Sequence, residues 1–257
     1  MKKNLKVAIF IPTFNAATTL SLVLDKIPKR IKNQVKEIFV VDDESSDNTY
    51  LVGIDYKQKS KLSNLNIFYN KKNLGYGGNQ QAAYDYCIKK KYDVVVMLHG
   101  DCQYNPIYIP NLLKPFYKRD ISNLGMVFGS RFGKGENPLA GNMPLYKFLG
   151  NKFLTFIENK VLDLNLSEYH SGYRAYNLNN LKKIPFNMCS SDFEFDSQII
   201  VQLKLAGFDI LETPIKTFYG TEKSHVKVVP YGLNVLKAMA LYLLHKYNIR
   251  KVARYDI

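Results

Sequence analysis

A chain of 257 residues that is 46% hydrophobic and 23% charged has ordinary globular composition, which excludes disorder, collagen and coiled coil as descriptions of the whole. Its 36 Lys plus Arg against 22 Asp plus Glu give a formal charge of +14. The chain therefore favours anionic company: phosphorylated small molecules, acidic lipid surfaces or nucleic acid.

The amino terminus starts basic and turns apolar, but the apolar run at 7–11 stops at Pro12 and no small-residue cleavage site follows. It predicts a first strand rather than a leader. Further strands are predicted at 37–41, 66–69, 94–98 and 126–129, each rich in Val, Ile or Phe and bounded by polar or Gly-containing turns. Between them the spacing predicts helices at 17–31, shortly after Ser46, at 76–90 and at 106–119. Alternating strands and helices imply an α/β fold with a mostly parallel sheet covered on both faces. Such sheets bind ligands beyond the carboxyl ends of their strands.

From Gly133 the pattern changes. A loop over 133–142 leads to a helix at 145–162, the polar run HSGYRAYN from His170, a helix at 193–206, a strand-like FDILETPI, and a last helix from Pro230. That helix has an apolar side and a basic end, with Lys227, Lys237, Lys246, Arg250, Lys251 and Arg254 against Asp256. The reading is one domain over 1–228 followed by a basic amphipathic segment over 229–257. This segment either packs on the core or lies on an anionic membrane surface. No run of 18 or more uncharged apolar residues is present, so a cytoplasmic chain with no membrane span is expected. Cys87, Cys102 and Cys189 are too few and scattered for a disulfide framework or a cysteine zinc site.

The strand exits carry the candidate chemistry. The first ends in IPTFN, where Thr13 and Asn15 offer short polar groups. The second ends in VVDDESSDNT, and Asp42 or Asp43 could accept hydrogen bonds from a nucleobase or ribose, or both could be solvated beside a helix cap. In NKKNLGYGGNQQ, Gly75, Gly77 and Gly78 allow close backbone approach before a helix amino terminus, a natural anion site; a plain loop-to-helix cap is the alternative. The spacing fits neither a P-loop nor the dinucleotide fingerprint. In VVVMLHGDCQYNP, alternation sends His99, Asp101 and Gln103 to one side of the exiting chain. Asp101 is a hard oxygen ligand suited to Mg²⁺ or Mn²⁺ bound with substrate phosphates.

In this order, IPTFN, VVDDESSDNT, NLGYGGN, HGDCQYNP and GSRF (Gly129 to Phe132) resemble the family-2 glycosyltransferases of GT-A fold. SGYRAY, FEFDSQI and GFDILETPI resemble the branch that transfers sugars to polyprenyl or dolichyl phosphate. The resemblance implies an inverting transfer from a nucleotide-diphosphate-sugar, a divalent cation, and a lipid-phosphate or glycan acceptor. It places Pro12, Thr13, Asn15, Asp42, Asp43, Gly75, Gly78, Asn79 and Asp101 at the donor, with Lys223 and His225 in a basic loop over the diphosphate. It places Asp101, Gln103 and His99 at the metal, and Arg131 and Arg174 near the phosphates. Asp192, Glu194 and Asp196 fall where acids face the acceptor, Asp192 and then Glu194 being candidate bases for a hydroxyl acceptor; a lipid phosphate needs none. His99 replaces the first acid of the usual Asp-x-Asp pair, which predicts a preference for Mn²⁺ over Mg²⁺, and Ala16 stands where Glu is frequent. The hydrophobic tail of many lipid-phosphate transferases is not read here. His170 and His245 find no partner in the sequence and read as structural. A non-catalytic nucleotide-sugar-binding relative and a basic nucleic-acid-binding protein are the alternatives; the spread of Lys and Tyr, without a recognisable motif, disfavours nucleic acid.

Overall fold

The structure, a computed structural model, describes residues 4–118, 120–219 and 227–257. Its elements in order are β1 Val7–Thr13, α1 Leu20–Lys26, α2 Lys29–Gln34, β2 Glu37–Asp42, α3 Thr49–Ser60, β3 Leu65–Tyr69, α4 Gly75–Lys89 and β4 Val94–Met97. There follow α5 Ile109–Lys118, β5 Leu124–Ser130, α6 Leu145–Leu162, β6 Arg174–Asn177, α7 Leu178–Leu181, α8 Phe195–Leu205, β7 Asp209–Pro214 and α9 Val228–Lys246.

The strands form one sheet in the order β3-β2-β1-β4-β6-β5-β7. All pairings are parallel except those of β6, which runs antiparallel to both β4 and β5. Strand alternation divides the core between the two faces: Ala8 and Phe10 join a cluster with Phe39, Met97 and Phe195, while Val7, Ile9 and Ile11 join Ile38, Val96 and Leu112 on the other side. The expected mostly parallel α/β sheet is thus present.

Two expectations change. The helix expected over 17–31 is two helices, because Pro28 forces Ile27 into an extended conformation (φ −64°, ψ 122°) and starts α2 afresh. The polar run after His170 contains β6, whose four residues are all buried. Its sequence RAYN hides this, because a central arginine reads as surface until its hydrogen bonds are known.

α9 is 19 residues long and, with Lys237 inside it, is still long and apolar enough to cross a membrane by length and composition. Val235, Ala238, Met239 and Tyr242 of α9 are buried, and the helix packs on α6 and α8.

Candidate active site

A cavity of about 1040 Å³ opens at the carboxyl edge of the parallel strands. Of the site residues expected from sequence, Pro12, Thr13, Asn15, Asp43, Gly75, Asn79, His99, Asp101, Gln103, Arg131 and Asp192 line it. Asp42, Gly78, Glu194 and Arg174 are not among its lining residues, and Lys223 and His225 lie outside the described residues.

The exits of β1 and β2 are tied together. Asn15, at φ 52°, accepts the Ser46 amide at 2.9 Å, and its own amide donates to Ser45 Oγ at 2.8 Å. Asp42 accepts the Ser45 amide at 3.0 Å, while its Oδ2 is buried with no hydrogen-bond partner. Burial pushes its carboxyl pKa up, against the pull of Ser45. Asp43 is engaged at both oxygens: Asn70 and the Leu74 amide donate to Oδ1, and the Gly75 amide donates to Oδ2 at 3.0 Å. A carboxylate at the amino end of α4 suits the helix dipole.

The glycine run has a partner that the sequence did not reveal. Gly77 donates its amide to the Ser191 carbonyl at 2.7 Å. A Cβ on Gly75 would lie 2.6 Å from Ser191 O, and one on Gly77 2.2 Å from Ser190 O. Gly75 also sits at φ 77°. These glycines let the 190–192 loop touch the start of α4, which brings Asp192 to the cavity.

At the exit of β4, Asp101 keeps about half its side chain exposed (49%). Its Oδ1 accepts the Gln103 amide at 3.0 Å, and its Oδ2 lies 3.9 Å from His99 Nδ1. The other nitrogen of His99 is 3.3 Å from the Tyr76 hydroxyl. The ring packs edge-on to Tyr76 and Tyr104. Gly172 closes this corner, where a Cβ would come within 2.4 Å of His99 Nε2.

The adjoining wall, joined to His99 through the Tyr76 hydroxyl, is built from buried charge. Arg174 exposes none of its side chain; it donates to the carbonyls of Ser171, Tyr169 and Asp196, and Nη1 lies 3.4 Å from Asp196 Oδ1. Asp196 lines the cavity and accepts the Tyr76 hydroxyl at 2.9 Å. Burial raises its pKa, and Arg174 opposes the rise. Arg131 is held by Glu168 and donates to the Tyr219 hydroxyl at 2.6 Å. Glu194 accepts from Ser190 Oγ at 2.8 Å and from Asn234 of α9 at 3.3 Å, so it ties the 190–192 loop to the last helix.

His170, read from sequence as structural, belongs to this wall. Its Nδ1 is 2.8 Å from the Tyr231 hydroxyl and its Nε2 is 3.2 Å from Glu158 Oε2. Ser197 donates to the other oxygen of Glu158. Burial raises the Glu158 carboxyl to about 8 and, with Arg131 and Arg174 nearby, lowers His170 to about 3. Burial thus favours the neutral form of both groups, and Glu158 Oε2 and His170 Nε2 stand 3.2 Å apart with no hydrogen bond to any partner. Glu158, Ser197 and Tyr231 come from α6, α8 and α9, so no local spacing announces the cluster.

Residues 8–184 match the family model described as glycosyl transferase family 2. The chain is 26% identical over 227 residues to an undecaprenyl-phosphate mannosyltransferase of Micrococcus luteus, covering 87% of this chain and 88% of that one. It is 27% identical over 249 residues to a UDP-N-acetylglucosamine–dolichyl-phosphate N-acetylglucosaminyltransferase of Methanococcus voltae, covering 91% and 92%. The fold is similar to that of glucosyl-3-phosphoglycerate synthase from Mycobacterium tuberculosis, solved with Mn²⁺, UDP and glucosyl-3-phosphoglycerate. There the TM-score is 0.65 at 15% identity, covering 96% of this chain and 81% of that one.

Proposed function

The chain belongs to glycosyl transferase family 2, and we propose that it moves a sugar, with inversion, from a nucleotide-diphosphate-sugar to a polyprenyl phosphate. The observation that carries this reading is the convergence of the β1 and β4 exits on one cavity with a half-exposed Asp101. The polyprenyl and dolichyl phosphates in the names of the two relatives support the acceptor class.

In this reading the donor lies along Pro12, Thr13, Asn15 and Asn79, with its diphosphate toward Asp101. A phosphate oxygen of the acceptor attacks the anomeric carbon as the bond to the diphosphate oxygen breaks on the opposite side. The nucleophile is already anionic, so no side chain has to remove a proton. Lys147, which lines the cavity, supplies positive charge for the anionic groups, while Arg131 beside it is held by Glu168. Asp196 and the buried network behind it hold Tyr76 and His99 in place.

A divalent cation, Mn²⁺ or Mg²⁺, fits the Asp101 edge. Asp101 would hold it, with His99 Nδ1 beside it and Gln103 on the same wall. Among the described residues no group of three or more His, Cys, Asp or Glu forms a complete ligand set, so waters and donor phosphates would fill the remaining positions. When bound, the ion neutralises charge on the departing diphosphate. In this reading residues 1–228 carry the donor site, and 229–257, which also bring Tyr231 to the cavity, work beside a membrane on the cytoplasmic side.

The test is transfer from a panel of nucleotide sugars to undecaprenyl phosphate with either ion, followed by mass spectrometry of the lipid. Formation of a glycosyl-phosphoryl lipid is expected, and Asp192→Asn should retain it to within about threefold, since no base is required. Asp192 is exposed at the cavity, so a glycan acceptor would instead make this substitution disabling. Glycosylation of a sugar hydroxyl with no lipid product would replace the acceptor assignment.

A further inference from the structure

α6 has two apolar faces. Leu154, Thr155, Glu158 and Leu162 form the face buried in the protein. On the outside, Leu145, Leu149, Phe153 and Phe156 recur at i, i+4, i+8 and i+11, exposed by 61%, 58%, 58% and 61%, with Tyr146 beside them. Single exposed leucines are ordinary, but five large apolar side chains in one stripe mark a surface that is covered in use. The neighbouring helix α9, packed against α6, adds Val229 and Leu233, both well exposed.

The chemistry of the surroundings identifies the cover. Lys152 and Lys160 flank the stripe, with their ammonium groups 4.9 Å from the Phe132 ring centre and 6.0 Å from that of Phe156. Lys237 is exposed one turn beyond Leu233. The one acid of α6, Glu158, is buried, so the outer face carries only positive charge. A second copy of the chain suits this face poorly, because each copy carries +14. A planar array of apolar and aromatic side chains edged by lysines suits the boundary between acyl chains and anionic headgroups. The same two helices also present Lys147, Gly150, Asn151 and Leu154, and Val228 and Tyr231, to the cavity. The wall of the active site and the outer stripe are therefore two sides of one helix pair.

We propose that the outer face of α6, with the adjoining edge of α9, seats the protein on an anionic lipid bilayer and so opens the cavity to a membrane-borne acceptor. The second half of this statement rests on the polyprenyl-phosphate reading; the first does not. The chain contains no tryptophan, so Phe153→Trp places its one indole in the stripe, excited at the red edge where the 19 tyrosines do not absorb. Its emission should shift to the blue on adding phosphatidylcholine–phosphatidylglycerol vesicles, and an unchanged spectrum would overturn the proposal. In co-sedimentation, the full chain should bind the same vesicles in a salt-sensitive way. The double variant Leu149→Gln/Phe153→Gln should bind at least roughly tenfold more weakly, with an unchanged melting temperature. Wild-type vesicle binding by this variant also overturns the proposal, as does a dimer that it dissociates while vesicle binding persists. Loss of vesicle binding by the variant, in a protein that glycosylates no lipid phosphate, supports the seat while removing the acceptor assignment.

Discussion

Asp101 stands at the exit of β4 with half of its side chain in solvent, whereas Arg174, paired opposite Met97 of the same strand, exposes none of its own. On the Asp101 side the polar groups retain capacity for a ligand. On the Arg174 side they are buried against one another: Arg174 donates to three carbonyls and lies beside Asp196, Arg131 is held by Glu168, and His170 bonds Tyr231 and lies beside Glu158. The contrast teaches that charge at a site has two physical uses. An exposed carboxylate can change partners during a reaction, while a buried and matched one fixes the shape against which the reaction occurs.

This division predicts that substitutions in the two places separate stability from activity. Arg174→Met leaves Asp196 buried without its cation and should cost about 3–5 kcal/mol of stability, read by urea unfolding. A loss under about 1 kcal/mol would remove Arg174 from its structural role. Asp101→Asn should do the reverse, lowering kcat/KM on the order of 10²-fold or more through lost diphosphate stabilisation. Its unfolding free energy should stay within about 0.5 kcal/mol of the parent, as for an exposed site.

Glu158 gives a pH signature. Its native carboxyl keeps its proton to about 8, against an ordinary value of 4.5, so the folded chain binds more protons than the unfolded chain between these values. Stability on this account is full below 4.5 and falls as pH rises through 8. Glu158→Gln should flatten that slope in denaturant titrations from mildly acidic to mildly alkaline buffer. His170 works in the opposite sense: held neutral to about 3 against an ordinary 6.5, it costs stability as pH falls through that window.

Gly172→Ala should push His99 and Tyr76 apart, since the added methyl carbon would lie 2.4 Å from one and 2.7 Å from the other. About 1–3 kcal/mol of stability should go with it, measurable by thermal melting, together with part of the transfer rate. The smallest change concerns the ion. With an imidazole where the pattern usually has a carboxylate, Mn²⁺ should outperform Mg²⁺ by a few-fold in initial rate, and equal rates would exclude His99 from the coordination sphere.

The Asp101 side was largely legible in the sequence. Strand exits follow from short apolar runs ending in Pro12, Asp42 and His99. The alternation expected for His99, Asp101 and Gln103 does not apply, because β4 ends at Met97 and a turn over 100–103, with Cys102 at φ 63° and the Gln103 amide on Asp101 Oδ1, brings them to the cavity instead. The other side was not, because its logic is long-range. Glu158 and His170 meet across two elements, Arg174 looks like surface until its carbonyl partners are seen, and Gly75 and Gly77 accommodate Ser190 and Ser191 more than a hundred residues away. The one helix expected over 17–31 failed for a local reason, the conformation that Pro28 imposes on Ile27.

The reversed strand β6 has an architectural consequence. Its neighbours β4 and β5 run the other way, so the residues that lead into it, His170 to Tyr173, arrive at the rim where those neighbours depart. The rim is therefore furnished by two stretches of chain far apart in sequence, one leaving the open sheet and one entering it. Insertions or exchanges between Gly133 and Glu168 can remodel the second stretch while the hydrogen-bond register of β1, β2 and β4 stays as it is, so one half of such a scaffold can diversify while the other is held constant.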